Sequence, residues 1–430
     1  MTDEEHPSKK RRILAGGDDD EGQTTIGFGV PNGTNGKEDG WEDVQEDGDT
    51  DPPRPLRPWE VRASDAISLK LVGTQGESDT FHPEFTYPVF GMDEVIYGYR
   101  SVNIKLYHST ASLFTYVNVT YGETVSGNTS EPNREPDDVI SLLQAKLPPD
   151  VTQDYAVFLD RVKRDDTEFV PFGTKFDEYA LGEADVTYEL YSASFASPGF
   201  LEFHRRLQVF LLWYIEGASY LEENDERWEM VLLYERRGPR YAFIGYVTYY
   251  PFFYYTPEEC NRRRVRISQV LILPPYQHRG HGARLYQHLY KYFLSQPHLV
   301  QITVEDPNEA FHNLRDRCDL AYLIRDGANG DLRLPVAADT IKAVGEKYKL
   351  SKRQAERCVE MFLLRAIEPR RDRKLYQQFR IHVKRRIFRQ NEEAFAQLKM
   401  DRAGRIKRLD ETYENVEDEY REILGSLRLD

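Results

Sequence analysis

Between residues 270 and 283 the chain reads Val270-Leu271-Ile272-Leu273, then Pro274-Pro275-Tyr276, then Gln277-His278-Arg279-Gly280-His281-Gly282-Ala283. A short apolar run closed by prolines fits a strand buried on both faces. Apolar positions resume at helical spacing over residues 282–295, and residues 299–304 read as another strand. Two strands joined through a helix make an α/β unit, which restricts the fold class more than any other part of the chain. The turn between the first strand and the helix also has a chemical consequence. Glycines let a ligand approach the backbone, and the orphan amides and dipole of a helix start attract an anion. No GxxxxGK[ST] and no complete GxGxxG is present, which argues against the common nucleotide loops. On the glycines alone, a phosphate-binding loop and a plain tight turn both remain open.

The 430 residues are too many for one ordinary domain and suggest two or three. The first 60 differ in kind from the rest. They hold 16 acidic and 7 basic residues, most of the chain's net charge of −15, with few apolar anchors. Such a segment is expected to be disordered. It begins charged and lacks an apolar h-region, so a secretion signal is not expected. Lys9-Lys10-Arg11-Arg12 on this arm fits either a nuclear import signal or four solvated charges. The acidic balance argues against general nucleic-acid binding and favours a basic partner or substrate. An aromatic content of 13 % requires a sizeable core beyond the arm. Cys260, Cys318 and Cys358 are widely spaced and signal neither a disulfide framework nor a zinc site, so an intracellular setting is expected. The uncharged stretch 241–256 is broken by Pro251 and rich in tyrosine, and reads as strand rather than a membrane helix.

Ordered sequence is expected from Trp59. Strand candidates are 67–71, 97–106 and 114–119, with a surface loop over 122–136. A long amphipathic helix is expected over 199–222, followed by strands at 228–235, 241–250 and 265–273. Beyond Leu334 the pattern is helical, and Ser351-Lys352-Arg353-Gln354 reads as a capping box opening a helix that buries Cys358, Phe362 and Leu363.

The loop Gln277 to Ala283 resembles the [QR]xxGxG[AG] pyrophosphate loop of the GNAT N-acetyltransferase superfamily. More narrowly, three segments resemble the family of type B histone acetyltransferase catalytic subunits: Phe81-His82-Pro83-Glu84-Phe85-Thr86-Tyr87-Pro88-Val89-Phe90-Gly91, Arg206-Leu207-Gln208-Val209-Phe210-Leu211-Leu212-Trp213-Tyr214-Ile215-Glu216, and Ile302-Thr303-Val304-Glu305-Asp306-Pro307. The likeness runs in order over residues 59–335, weakens in the helical tail and is absent from the acidic arm. His278-Arg279 depart from the smaller or amide residues expected inside the loop, a change that backbone recognition should tolerate.

The fold implied is mixed α/β. An acidic arm (1–58) precedes an N-terminal α/β domain for histone-tail recognition (59–200), a GNAT-type acyltransferase core (201–335) and a C-terminal helical domain (336–430). The resemblance implies acetyl-CoA as co-substrate, with Val270, Leu271 and Ile272 pairing its pantetheine arm. Residues Gln277, His278, Arg279, Gly280, His281, Gly282 and Ala283 would hold its pyrophosphate, and Asn308 and Arg317 would make further contacts. It implies Glu305 as general base, with Glu202 and Asp306 as nearby carboxylates. It also implies lysine acetylation on newly synthesised histone H4 before chromatin assembly, a WD-repeat histone-binding partner subunit, and residence in cytoplasm and nucleus.

The residues give Glu305 independent support. Asp306-Pro307-Asn308-Glu309 reads as N-cap, N1, N2 and N3, placing Glu305 at a strand end, where α/β sheets carry active groups. A lysine amine is charged at pH 7, so a carboxylate must take its proton before attack. Burial and carboxylate neighbours would tune Glu305 for that task. Asp306 reads first as a helix cap, and Glu202 as either a catalytic or a solvated carboxylate. A basic tail would be steered by Glu84, Asp93 or Glu94, and Trp213 would pack beside the lysine or belong to the core. His278, His281 and His288 lack metal-site spacing, so no metal is expected. Residues 370–408 carry 14 basic and 4 acidic side chains, and 409–430 carry 2 basic and 8 acidic. Two helices pairing these charges is the favoured reading over a basic binding surface. A small-amine or other protein N-acetyltransferase would share the loop, and a non-catalytic chromatin scaffold would use the charged tail. Both explain fewer of these residues than a histone acetyltransferase does.

Overall fold

The computed structural model describes residues 55–125, 134–255, 261–327, 333–367, 371–392 and 401–429. The basic cluster at Lys9 to Arg12, most of the acidic arm and Cys260 lie outside the described residues.

The N-terminal elements are β1 (Glu60–Arg62), α1 (Ala63–Ala66), β2 (Ile67–Gly73), β3 (Gly76–Glu77), α2 (Tyr87–Phe90), β4 (Val95–Tyr97), β5 (Val102–Ser109), β6 (Thr115–Tyr121), α3 (Val139–Gln144) and α4 (Tyr155–Glu168). Then follow β7 (Thr174–Ala180), β8 (Val186–Ser194), α5 (Phe200–Leu207), α6 (Val209–Tyr214), β9 (Glu229–Arg237), β10 (Arg240–Tyr254) and β11 (Arg262–Ile272). The last are α7 (His281–Ser295), β12 (Leu299–Val304), α8 (Glu309–Arg325), α9 (Ala338–Tyr348), α10 (Lys352–Ala366), α11 (Arg373–Gln390) and α12 (Arg402–Gly425).

A six-stranded sheet in the order β12-β11-β10-β9-β8-β7 is the shared wall of two cores. All its neighbours are antiparallel except β11 and β12, which are joined through α7 and run parallel. Alternate residues of β9 divide between the cores. Val231 and Leu233 pack with α7 and the C-terminal helices, while Met230, Leu232 and Tyr234 pack with α5, α6 and the N-terminal sheet β3-β2-β5-β6. That is the two-residue period of a strand buried on both faces.

This arrangement moves the expected boundary at residue 200. β7 and β8 precede it yet belong to the six-stranded sheet, and α5 and α6 beyond it share a core with β2 and β5. Strand pairing and apolar packing cross the position, so it is not a division of the fold. Strand 97–106 also divides, its first residue ending β4, residues 98–101 connecting, and residues 102–106 lying in β5.

The long helix expected over 199–222 ends at Tyr214 and is broken at Gln208. All six residues of α6 are buried, so the run is core rather than one apolar stripe. Its end is set by outside partners. The Trp213 carbonyl accepts the amides of Glu84 (2.9 Å) and Phe85 (3.1 Å), and Gly217 takes φ 66°.

The C-terminal helices join the core as well. The Lys349 carbonyl accepts the Ile302 amide at 2.8 Å, and Leu350 bridges to Ile302 of β12. Ser351 caps α10 by accepting the Gln354 amide, but the Gln354 side chain does not reach back to complete a capping box. It donates instead to the buried Asp316 (2.8 Å) and Asp319 (2.9 Å) of α8. Arg357 of α10 donates to Asp316 and to Glu419 of α12, and Tyr286 of α7 donates to Asp319. The charge reversal in the tail is partly a pairing of helices, since Arg380 and Lys384 of α11 meet Asp410 of α12. Cys318 and Cys358 are buried free thiols.

Asp316 is fully buried and Arg357 is 4 % exposed, so removing the guanidinium strands a charge without water. Arg357→Met should lower stability by about 3–5 kcal/mol, the cost of breaking a buried ion pair. Urea unfolding measures it, and the companion Asp316→Leu/Arg357→Met protein should recover part of the loss.

Candidate functional site

The parallel pairing of β11 and β12 ends at Ile267 opposite Val304. One more bond follows, from the Glu305 amide to the Ile267 carbonyl at 2.8 Å. β11 then continues to Ile272 with β10 as its remaining strand partner. The Gln269 amide turns to Thr248 Oγ1 (3.1 Å) and the Leu273 amide to Ile244 (2.9 Å), both on the β10 side. Alternation therefore aims the backbone of Val270 and Ile272 into the gap left by β12. The Ile272 carbonyl is taken by Gln277 Nε2 at 2.8 Å, which leaves Val270 as the strand-like edge. Leu271, expected beside them, is paired to Tyr246 and sends its side chain into the core.

The loop Gln277 to Ala283 closes this gap at its far end. His278 and Gly280 both adopt left-handed backbone, with φ 58° and 86°. α7 starts at His281 with no side-chain cap, so the first-turn amides of His281, Gly282 and Ala283 form an anion cradle. His278, Arg279 and Gly280 are exposed, as is Arg284 one turn on. The two glycines serve different needs. A Cβ at Gly280 would meet open space but not its φ, whereas one at Gly282 would sit 3.2 Å from Leu314 Cδ1 of α8. The His281 ring points inward, with Nδ1 2.9 Å from the Tyr179 hydroxyl and its ring against Tyr188. Desolvation lowers its pKa from the ordinary histidine value. His288 pairs with Asp177, and among the described residues no cluster of three His, Cys, Asp or Glu could hold a metal.

Glu305 stands where the two strands part, its side chain 39 % exposed. The Ser268 hydroxyl donates to its Oε2 at 2.6 Å, and Arg266 Nη1 lies 3.9 Å from its Oε1. The buried, carboxylate-rich surroundings expected for it are thus replaced by a hydroxyl donor and a guanidinium. Asp306 is not the helix cap. The cap is Asn308, whose Oδ1 accepts the Phe311 amide at 2.9 Å, because Asp306 (φ 33°) and Pro307 form the turn before the helix. Asn308 Oδ1 is thereby committed. Glu202 is exposed on α5, where it bears on Arg205, and no contact brings it to Glu305. Arg317 is half-buried on α8, one turn beyond Leu314, with a hydrogen bond to Ser426 at 3.4 Å.

Of the groups expected to meet a substrate, Trp213 is 1 % exposed and belongs to the core. Glu94 Oε2 accepts the Thr86 amide (3.0 Å) and hydroxyl (2.6 Å), so that oxygen closes its own loop. Glu84 and Asp93 are exposed. Where the helix expected over 199–222 gives way after Tyr214, the structure has the connecting segment 215–228, which holds Glu216, Glu222, Glu223, Asp225 and Glu226. Ser219 of this segment accepts from Gln269 of β11 at 3.2 Å, and Gly217 donates to the Tyr87 hydroxyl at 2.6 Å. It therefore links the loop at residues 82–94 to the strand beside Glu305. Gly217 and Glu223-Asn224-Asp225 were the signals that the helix stops.

An open strand edge, an uncapped helix start behind a left-handed glycine and a carboxylate at the strand fork fit acetyl-CoA, and together they define a GNAT-type acyltransferase. The family described as "Acetyltransferase (GNAT) family" matches residues 187–319. The family described as "Histone acetyl transferase HAT1 N-terminus" matches 59–216, and "Fungal HAT1, C-terminal" matches 316–368. A Cryptococcus neoformans protein called histone acetyltransferase type B catalytic subunit is 38 % identical over 85 % of this chain and 94 % of its own length. Proteins of the same name from Kluyveromyces lactis and Homo sapiens are 35 % and 30 % identical, over 87 % and 86 % of this chain and 94 % of each relative. The chain belongs to the family of type B histone acetyltransferase catalytic subunits, and it is an acetyl-CoA-dependent acyltransferase.

Gly280→Val forces a β-branched residue into left-handed backbone. It should weaken acetyl-CoA binding by at least about tenfold, read by calorimetry, and lower the unfolding temperature through backbone strain alone, since a Cβ there meets no neighbour.

Proposed function

We propose that this chain acetylates lysine side chains of histone tails, with histone H4 made but not yet assembled into chromatin as the principal substrate. The observation that carries this reading is the position of Glu305, fixed at the fork of β11 and β12 next to an open strand edge and an uncapped helix start. Acetyl-CoA, when bound, supplies the acetyl thioester. Val270 offers backbone groups to its pantetheine arm, and the amides of Gly280 to Ala283 with Arg279 and Arg284 face its phosphates. Glu305 takes the proton from the lysine ammonium, which frees the nitrogen lone pair for attack. The names of the relatives favour a histone substrate. So does the exposed acidity of Glu84, Asp93, Glu216, Glu222 and Glu226, on two segments hydrogen-bonded to each other. A lysine-rich tail would be steered onto such a surface.

The family relationship further supports a WD-repeat histone-binding subunit as partner, and a working life divided between cytoplasm and nucleus. The cluster Lys9-Lys10-Arg11-Arg12 is the import element in this reading. Removal of residues 1–58 should leave acetylation of a tail peptide intact and reduce nuclear accumulation of a fluorescent fusion. Unchanged nuclear accumulation would refute the import role.

Glu305→Gln should lower kcat on a histone-tail peptide by about 10²–10⁴-fold, the usual worth of a general base, while acetyl-CoA affinity by calorimetry stays near that of the wild type. A core-histone assay beside a polyamine control tests the substrate class. Equal turnover of the polyamine would overturn the histone assignment.

A further inference from the structure

β11 changes the faces it presents at Ser268. Val265 and Ile267 enter the core beneath α7, whereas Leu271 and Leu273 enter the core on the α5 and α6 side. Strict alternation would keep all four on one face, so one extra residue is absorbed between them. The register locates it. Ile267 lies opposite Tyr249, Gln269 lies opposite Thr248, and Ser268 has no partner across the ladder. This is a β-bulge, and it is pinned from both sides. The Gln269 amide bonds the fully buried Thr248 hydroxyl at 3.1 Å, and Gln269 Nε2 bonds the Ser219 carbonyl at 3.2 Å.

The bulged residue meets the carboxylate at the fork. Ile267 holds the main chain of Glu305 through its carbonyl (2.8 Å), and Ser268 holds its side chain through the hydroxyl on Oε2 (2.6 Å). Consecutive residues of one strand thus fix backbone and carboxylate together. Arg266 stands 3.9 Å from Oε1 with its guanidinium over the Phe252 ring. A glutamate left alone at this exposure would sample many rotamers, and ordering it only at the moment of reaction would cost rate.

We propose that Ser268 is the positioning residue for Glu305, holding Oε2 so that Oε1 is the atom that receives the substrate proton. This rests on the reading of Glu305 as the base. In the step, an N–H bond of the substrate ammonium breaks and an O–H bond forms at Oε1, and the electron pair left on nitrogen makes the new bond to the acetyl carbon. The C–S bond of the thioester breaks with its electron pair on sulfur, and the departing CoA thiolate takes up the second proton that nitrogen loses. The first proton then leaves Oε1 for solvent. Ser268 neither gains nor loses a proton. Its hydroxyl stays on Oε2 throughout.

The test is steady-state kinetics on the full chain, with acetyl-CoA and a histone-tail peptide, for the wild type, Ser268→Ala, Ser268→Thr and Glu305→Gln. Ser268→Ala should lower kcat about tenfold, the scale of one hydrogen bond to a charged group. It should leave the acetyl-CoA KM within about twofold. Ser268→Thr keeps the hydroxyl and should restore kcat. Wild-type kcat in Ser268→Ala overturns the proposal, even with Glu305→Gln inactive. Loss of acetyl-CoA affinity in both Ser268 variants also overturns it, by making the residue a structural part of the bulge. An active Glu305→Gln is a different failure, that of the base assignment itself.

Discussion

The hydrogen bond from the Glu305 amide to the Ile267 carbonyl is the last tie between β11 and β12, and the site is built on what happens after it. Beyond it the chain of β12 turns through Asp306 and Pro307 into α8, while β11 runs on to Ile272. Each strand on its own is ordinary. Their divergence leaves a row of strand backbone facing a cleft, and unpaired backbone groups of that kind need a partner. An extended ligand arm with amide groups satisfies the same geometry that a neighbouring strand would. The carboxylate is delivered to the head of that cleft by the same turn that opens it.

The fork is kept open by packing on both sides of the sheet. Under it, α7 fills the core with Leu285, Leu289 and Phe293, and Gly282 lets α8 approach through Leu314. α8 is then fastened to α7 by Tyr286 and Asp319, and to α10 by Asp316, Gln354 and Arg357. Burial raises the Asp319 carboxyl to about 6, the mark of a carboxylate taken well away from water. A helical region that reads as an appendage in the sequence is therefore the back support of the loop Gln277 to Ala283. Above the sheet, α5 and α6 carry the connection between the N-terminal sheet and the acidic segment that lies on β11.

What could be read from the sequence follows from how local each signal is. The run Val270 to Leu273, the glycines at 280 and 282 and the strand 299–304 depend on neighbours within a few residues, and each is where it was expected. Glu305 was found for the same reason, as a charge directly after a strand. Asp306 was misread because Asp-Pro and Pro-Asn both offer an N-terminal cap, and only the backbone turn decides that Asn308 is the one. The helix over 199–222 was overextended because its stop is set by the 82–85 loop, more than a hundred residues away in sequence. Trp213 reads either as a neighbour of the substrate lysine or as core, and α6, buried on every side, makes it core. Ser268 carried no signal, since a bulge is a property of two strands together and appears only when the register with β10 is known.

Two kinds of recognition meet at this fork, and they tolerate change differently. In the function proposed above, the cofactor side is made of backbone: the edge at Val270, the amides at the start of α7, and the φ of Gly280. His278 and Arg279 are exposed there, whereas the His281 ring is buried against Tyr179 and Tyr188. The chemical side is made of side chains whose placement depends on register. A one-residue slip of β11 against β10 would exchange the faces of Ile267 and Ser268 and separate the hydroxyl from Glu305. Thr248 guards against that slip by replacing a ladder acceptor with its own hydroxyl, and Gln269 does so by reaching the 215–228 segment. The segment that carries exposed acidic side chains is thus also the one that locks the bulge. The placement of these acidic side chains and of the Glu305 carboxylate then rests on the same few hydrogen bonds, so movement of the acidic segment disturbs both at once.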